Sequence, residues 1–151
     1  MDEQEWIKYG VIGLAIAGLL VIVGFALSIG DGLDESSWIV EELVIDDTPT
    51  RVVEGTMLTA LFENGNVGGS AGCNGYNAAY ETNGDSIMVG LAVSTLIFCE
   101  QPEGTMEQEA TYLSLLQSAD RFDVDGDILT LSQGESVLIR FIALQAELRE
   151  G

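Results

Sequence analysis

Short runs that alternate apolar and polar positions, separated by turn signals, fill most of the chain after residue 37. This alternation is typical of strands with one buried face. Strands are predicted at residues 38–45, 56–63, 76–81, 86–91, 95–99, 121–124, 128–131 and 137–142. Hairpin signals stand at Asn64-Gly65 and Asp125-Gly126, and further turns are predicted at residues 46–49, 83–85 and 133–135. The spacing of strands and turns predicts an antiparallel sheet or a small barrel.

Residues 106–117 have the apolar spacing of a helix rather than that of a strand. Thr105 is predicted to cap this helix, with Gln108 completing a capping box three positions later. The residues predicted to face the core are Met106, Ala110, Leu113 and Leu116. The predicted fold class is therefore α+β and β-rich, a compact antiparallel sheet or small barrel with one packed α-helix.

An uncharged stretch at residues 9–30 precedes this domain. As a helix, its roughly 22 residues would extend about 33 Å, enough to cross a hydrocarbon core of about 30 Å. The alternative is a cleaved signal peptide, because Ala26-Leu27-Ser28 resembles a cleavage site. The run exceeds a signal core of about 7–15 residues, which favours a retained transmembrane helix. Lys8 on its N-terminal side predicts a cytoplasmic N-terminus and a large domain outside the cytoplasm.

These observations divide the chain into five parts. The predicted parts are an N-terminal tail (1–8), a transmembrane anchor (9–30), an acidic linker (31–37), a folded domain (38–143) and a polar tail (144–151). The predicted location is the cell membrane, with one crossing and an extracytoplasmic C-terminal domain. The predicted partners are the membrane and a protein that the sequence does not identify.

The charge balance of the chain is extreme, since 25 acidic and 5 basic residues give a net charge of −20. Phosphate binding needs clustered Lys and Arg, so nucleic acid is excluded as a partner. An acidic, lysine-poor surface is also typical of salt-adapted proteins, and that hypothesis predicts stability that rises with salt. The absence of histidine removes the usual general base and the commonest metal ligand.

The stretch at residues 68–80, G-G-S-A-G-C-N-G-Y-N-A-A-Y, carries the most specific signal in the chain. Thr95 with Cys99 and then Glu107-Gln108-Glu109 follow it in order. With these positions, residues 38–141 resemble the META domain (HslJ-like) family. The positions that match the motif of the family are Gly69, Gly72, Cys73, Asn74, Tyr76, Thr95, Cys99 and Glu109. Further matching positions are Trp38, Leu61, Phe62, Leu113, Leu116, Gly126, Asp127, Leu129, Leu131 and Phe141.

The resemblance implies a compact β-rich domain with one helix, found mostly in secreted or envelope-attached proteins. Members of the family are linked to heat-shock response, antibiotic tolerance, motility or secretion, without an enzymatic activity or an agreed ligand site. Many relatives carry a lipid-modified cysteine, whereas this chain has a predicted transmembrane helix in its place. We therefore expect a non-enzymatic envelope stress, assembly or interaction module without cofactor or metal. The alternative is a small-molecule or peptide binder that uses the mouth of a β-barrel.

Cys73 and Cys99 have three interpretations. A disulfide fits an exported domain, and it is the predicted state. Two buried free thiols are the second interpretation, and cysteine chemistry is the third. Two cysteines without histidine fall short of the four ligands of a structural zinc site, and neither cysteine has a histidine base.

Other candidate motifs favour structural roles. The glycine-rich stretch lacks the Gly-Lys-Ser or Gly-Lys-Thr of a phosphate loop, so its glycines are predicted to serve close backbone approach or positive φ. Asn74 is predicted to fix its loop through hydrogen bonds to nearby backbone, with a ligand contact as the alternative. Asp123, Asp125 and Asp127 do not match a calcium loop, because glycine takes the fourth position rather than the sixth. The aromatic residues predicted to fill the core, or alternatively to form an exposed partner patch, are Tyr76, Tyr80, Phe98, Phe122 and Phe141.

Overall fold

The computed structural model describes residues 32–145 of the chain. The predicted N-terminal tail (1–8), the predicted anchor (9–30) and most of the predicted polar tail (144–151) therefore lie outside the described residues. Across residues 32–145, no helix combines the length and the apolar character that a membrane crossing requires.

The described chain contains ten strands and the helix α1. In chain order they are β1 (Ser36–Ile45), β2 (Thr48–Arg51), β3 (Thr59–Glu63), β4 (Asn66–Ser70), β5 (Gly75–Asn83), β6 (Ser86–Val89), β7 (Val93–Ser94), α1 (Thr105–Ser118), β8 (Arg121–Asp125), β9 (Ile128–Gln133) and β10 (Ser136–Ala143).

Eight of these strands form a closed antiparallel barrel in the order β1-β3-β4-β5-β6-β8-β9-β10. The ring closes where β10 pairs with β1, with Phe141 opposite Val40 and Ala143 opposite Trp38. The strand β2 pairs with the C-terminal half of β1, and β7 pairs with β5. Closure removes the free edges that an open sheet would expose. The expected β-rich domain is therefore a barrel rather than an open sheet.

The alternation read in the sequence determines which side chains enter the barrel. Along β5, Tyr76, Ala78 and Tyr80 are buried, whereas Asn77 and Ala79 are exposed. Side chains with no exposed surface at other barrel positions are Phe62, Val67, Leu129, Leu131, Ile139 and Phe141. The barrel is filled by its own side chains, as is usual for barrels of about eight strands.

Several predicted strands and turns are confirmed. The predicted strands at 38–45, 76–81 and 137–142 lie within β1, β5 and β10. Asn64 and Gly65 both have positive φ, 53° and 75°, as the predicted Asn-Gly hairpin requires. The predicted Asp-Gly hairpin also forms, but its two turn residues are Gly126 and Asp127.

Two of the local predictions are wrong. Residues 95–99 have no regular secondary structure, and the short paired segment β7 lies just before them. The predicted turn at 46–49 is shorter than expected, because only Asp46 and Asp47 turn, both with positive φ. Pro49 belongs to β2, where an edge position tolerates the missing N–H.

The helix α1 forms where it was expected, but the predicted capping box does not. Gly104, with φ of 88°, occupies the N-cap position, and no side chain caps the helix. Thr105 is the first helical residue, and its Oγ1 donates to the Pro102 carbonyl at 2.6 Å. The Gln108 side chain instead reaches the connection between β2 and β3, where its Oε1 accepts from Val53 N at 2.6 Å.

The predicted core face of α1 is only partly confirmed. Leu116 is buried and Leu113 is half-buried against the core, as expected, whereas Met106 is half-buried and Ala110 is exposed. The residues that α1 does bury are Thr105, Gln108, Glu109, Tyr112 and Leu116. The helix therefore packs largely through polar side chains, which requires polar partners on the barrel.

Candidate functional site

The glycine-rich stretch forms the end of β4, a tight connection and the start of β5. Gly69 lies against β3, and a Cβ there would stand 2.5 Å from Thr59 Oγ1 and 2.6 Å from Thr59 O. Gly72 has φ of 113°, a conformation that side chains rarely adopt. The predicted roles of these glycines, close approach and positive φ, are therefore confirmed at these two positions.

Both cysteines of the chain form a disulfide, Cys73–Cys99, with the Cα atoms 6.0 Å apart. The predicted disulfide is confirmed, and the interpretation as two free thiols is wrong. The bond closes a loop with a sequence separation of 26 residues. A loop of this length corresponds to a stabilisation of about 3 to 4 kcal/mol in the chain-entropy model. It joins the connection between β4 and β5 to the segment that precedes α1.

Glu109 on α1 is a buried carboxylate, 6% exposed, that faces the residues next to the disulfide. Its Oε2 accepts from Asn74 N at 2.7 Å and from Cys73 N at 3.2 Å. Its Oε1 accepts from Asn74 Nδ2 at 2.7 Å. These donors compensate for the removal of the carboxylate from water.

Asn74 also forms hydrogen bonds with the loop that follows β7. Its Oδ1 accepts from Ile97 N at 2.7 Å and from Thr95 Oγ1 at 2.8 Å. Its Nδ2 donates to Ile97 O at 2.9 Å as well as to Glu109. Both amide protons and both lone pairs of the side chain are thus used. We call these contacts among Asn74, Glu109, Thr95 and Ile97 the Asn74–Glu109 network.

The network uses three of the motif positions, Asn74, Thr95 and Glu109, and agrees with the predicted role of Asn74 in fixing the loop. Tyr76, another motif position, is buried in the barrel. Its Oη lies 2.9 Å from Thr59 O and 2.8 Å from Tyr112 Oη. Tyr112 Oη lies 3.1 Å from the same carbonyl, so two phenolic protons serve three close oxygen contacts. The two rings meet edge to face with centroids 5.6 Å apart. The two phenols thus tie α1 to β3 and β5.

Burial raises the pKa of Tyr76, an effect that the hydrogen bond with Tyr112 opposes in part. Burial also raises the pKa of Tyr112, and the neighbouring Tyr76 raises it further. Both phenols therefore stay protonated in the folded barrel at pH values where an unfolded tyrosine, with a pKa near 10, loses its proton.

Stability is expected to depend on pH in the alkaline range for this reason. Below about pH 10 both states keep the phenolic protons, and the contribution of the pair is constant. Above pH 10 only the unfolded state releases them, so the unfolding free energy falls by up to about 1.4 kcal/mol per pH unit for each tyrosine. Urea unfolding between pH 8 and 11.5 measures this slope. The double variant Tyr76→Phe/Tyr112→Phe should lose most of it; an unchanged slope would assign the effect to other groups.

The loop between β6 and α1 displays apolar side chains to solvent. Their exposed fractions lie between 60% and 98%. The residues are Leu91, Val93, Leu96, Ile97 and Phe98, and we call them the apolar strip. Of the aromatic residues predicted to fill the core, the buried ones are Tyr76, Tyr80, Phe122 and Phe141. Phe98 is 73% exposed, so its prediction as a core residue is wrong.

The residues that sequence reasoning missed are Tyr112, Thr59 and the apolar strip as a surface. Tyr112 lies three positions after Glu109, and this spacing places both on one helix face. The polar character of the other residues on that face hid the signal. The strip reads as a strand, because exposed and buried apolar runs look alike in a sequence.

The polar atoms of this site are occupied by contacts within the domain. In residues 32–145, every buried side-chain nitrogen or oxygen has a hydrogen-bond partner. Over the same residues, no group of three or more His, Cys, Asp or Glu side chains is placed to hold a metal ion. Asp123 and Asp125 alternate with the buried Phe122 on β8 and are exposed. The arrangement can hold a loop in one conformation, and it presents an apolar surface beside the disulfide.

Two clefts lie outside this site. One of about 280 Å³ is bounded by β1, β2 and the first turns of α1, and Leu43, Arg51 and Glu107 are among its lining residues. The other, of about 230 Å³, lies beside the first residues of β1 and includes Trp38 and Asp127.

The chain is similar to one protein family and to solved structures of other proteins. The model of the family described as META domain matches residues 31–145. No curated protein matches the chain. An NMR structure of a protein from Burkholderia xenovorans is 24% identical, with a TM-score of 0.60 over 74% of this chain and 83% of that chain. A second NMR structure is 16% identical, with a TM-score of 0.55 over 74% of this chain and 92% of that chain. At these identities both likenesses bear on the fold alone.

Proposed function

The chain belongs to the META domain family, and we propose that it is a membrane-anchored, extracytoplasmic interaction module that catalyses no reaction. In this proposal residues 9–30 are a single transmembrane anchor and the barrel works in the cell envelope. Its role there is HslJ-like, in envelope stress or assembly, and is exercised through contacts with another protein.

The proposal rests on one observation. The polar groups of the motif residues form hydrogen bonds that hold a loop, and the apolar side chains of this loop are exposed to solvent. The Asn74–Glu109 network holds Thr95 and Ile97, and the disulfide holds Cys99. Exposed apolar side chains that are contiguous in this way mark interaction sites on soluble domains. A loop that is already ordered loses little conformational entropy when a partner binds.

The compartment is supported by the disulfide, since such bonds persist in oxidising environments outside the cytoplasm. The tether would be short, because Leu33 is fully buried and β1 begins at Ser36. Asp34 Oδ1 accepts from Tyr80 Oη at 2.9 Å, whereas Thr95 N donates to Gly75 O at the other end of β5. Five residues of strand separate these ends by about 17 Å. The anchor would thus hold one end of the barrel and leave residues 95–99 at the other.

The barrel-mouth alternative has less support from the geometry. A mouth that binds a small molecule needs an open interior with converging polar groups. Here Phe62, Leu131 and Phe141 have no exposed surface inside the barrel. The two clefts described above contain no residue of the glycine-rich stretch at 68–80.

The proposal is tested by photo-crosslinking of the full chain in its native membrane. A photoreactive phenylalanine derivative replaces Phe98, and a matched control carries it at Ile128, an exposed apolar residue on β9. We expect a defined protein adduct from position 98 and none of that mass from position 128. Absence of any protein adduct at position 98, with the chain folded and membrane-bound, would contradict the interaction role.

A further inference from the structure

The loop that carries the apolar strip has one edge bonded to the domain. Thr95 N donates to Gly75 O at 3.0 Å, and Ile97 N donates to Asn74 Oδ1 at 2.7 Å. Cys99 N is 3.5 Å from Met106 Sδ. Within residues 32–145, no hydrogen bond joins the N–H group of Leu96 or of Phe98 to the rest of the domain. These two N–H groups are therefore available to a partner.

Backbone N–H groups that are free to bond, next to large apolar side chains, are the arrangement to which another strand can add. Main-chain hydrogen bonds then supply affinity, and the side chains of Leu96 and Phe98 offer contact surface. The other exposed edge, β2, has fully exposed polar side chains and contains Pro49, which lacks the N–H that pairing needs. Residues 95–99 are thus the better edge for strand addition.

The negative charge near the apolar strip favours basic residues in the added strand. Glu100, Glu103 and Glu107 follow it directly and are exposed. In residues 32–145 the ion pairs are Arg121–Asp85 and Arg140–Glu42, so these three carboxylates have no basic partner there. A partner that places Lys or Arg beside them gains from the uncompensated charge.

The net charge of −20 disfavours two other occupants. A second copy of the chain would bring two strongly acidic surfaces together, which costs electrostatic free energy. An anionic lipid surface would likewise repel the domain. Both are disfavoured by the same charge that attracts a basic segment.

Resting on the proposed interaction role, we infer that residues 95–99 bind an extended polypeptide segment of a partner protein by strand addition. The bound segment combines apolar residues, which cover Leu96 and Phe98, with Lys or Arg residues, which face the carboxylates of Glu100 and Glu103. The segment takes the free edge of the loop, and the disulfide and the Asn74–Glu109 network keep that edge in place.

The test uses the full chain in nanodiscs of phosphatidylcholine and a displayed library of random ten-residue peptides. We expect the enriched peptides to combine apolar residues with Lys or Arg. A labelled enriched peptide, measured by fluorescence anisotropy, should bind Leu96→Ser/Phe98→Ser at least tenfold more weakly than the parent chain. The matched control Leu61→Ser/Ile128→Ser removes two exposed apolar side chains from β3 and β9 and should change the affinity less than twofold.

Two further measurements separate strand addition from other contacts. N-methylation of alternate peptide backbone nitrogens should weaken binding at least tenfold, because it removes main-chain donors. Raising the salt concentration from 50 to 500 mM should also weaken binding, because it screens the charge contribution.

Several outcomes would overturn the inference. They are enrichment of peptides without basic residues, binding that ignores N-methylation, equal binding by Leu96→Ser/Phe98→Ser, and no enrichment at all. Self-association that this variant abolishes would assign the strip to a second copy, and binding of peptide-free protein to phosphatidylcholine vesicles through the strip would assign it to lipid. A protein adduct at position 98 alongside any of these results leaves the interaction role standing, whereas loss of the adduct removes both proposals.

Discussion

Replacing Asn74 with Asp is expected to destabilise the domain by about 3 to 5 kcal/mol, the cost of breaking a buried charged contact. The change keeps the size of the side chain but turns its Nδ2 donor into an acceptor. That donor now bonds Glu109 Oε1 at 2.7 Å and Ile97 O at 2.9 Å. Asn74→Asp would set a carboxylate against Glu109 where burial leaves little water to screen it. Urea unfolding at pH 7 measures the loss.

The matched control is Asn77→Asp on β5, three residues further along the chain. Asn77 is exposed, so the same chemical change should alter stability by about 0.5 kcal/mol or less. Equal stability of the two variants at pH 7 would show that the Asn74–Glu109 network does not hold the loop.

Gly69→Ala should be the most damaging substitution of a single methyl group in the glycine-rich stretch. The added Cβ would lie 2.6 Å from Thr59 O, a backbone atom that cannot turn aside. The same carbonyl accepts the hydrogen bonds of Tyr76 and Tyr112, so moving it disturbs both. We expect a loss of about 3 kcal/mol or more, and a Tm lower by about 10 °C or more, measured by calorimetry.

Gly75→Ala is the control for this prediction. Gly75 lies in the same motif at the start of β5, and an added Cβ would meet only Gly69 O, at 3.7 Å. Ordinary contact at that distance should leave the Tm within a few degrees of the parent protein. A Gly69→Ala protein as stable as Gly75→Ala would mean that β3 and β4 adjust to the methyl group at little cost.

Much of the barrel could be predicted because buried and exposed side chains alternate along its strands. The side chains of β5 and the residues of the Asn64-Gly65 hairpin each follow local patterns that act over two to four positions. Such patterns need no knowledge of the partner strand. Closure of the sheet between β1 and β10 was not predictable in this way, because it joins residues about a hundred positions apart.

The helix shows why the local rule fails at the site. The apolar spacing predicted Met106, Ala110 and Leu113 on the core face of the helix. In the structure the helix buries Glu109 and Tyr112. The surface it meets offers the N–H groups of Asn74 and Cys73 and the carbonyl of Thr59, which need polar partners. Satisfying those groups outweighs the burial of a few apolar side chains, and only the assembled barrel displays them.

The prediction of a strand at residues 95–99 was wrong for a related reason. Its β-branched and aromatic residues are those that strands favour. In the structure the Asn74 side chain and the disulfide occupy the positions where a neighbouring strand would bond to it. Side-chain amide groups thus replace a ladder partner, and Phe98 is left in water.

The seam between β1 and β10 sets the order in which the domain can be completed. When a chain is synthesised or threaded through a membrane from its N-terminus, β1 emerges first and must wait for β10, the last strand, before Val40 meets Phe141. Until then the sheet is open and has two free edges that other chains can join. A chain interrupted before β10 cannot close the ring, so the arrival of β10 is the event that completes the barrel.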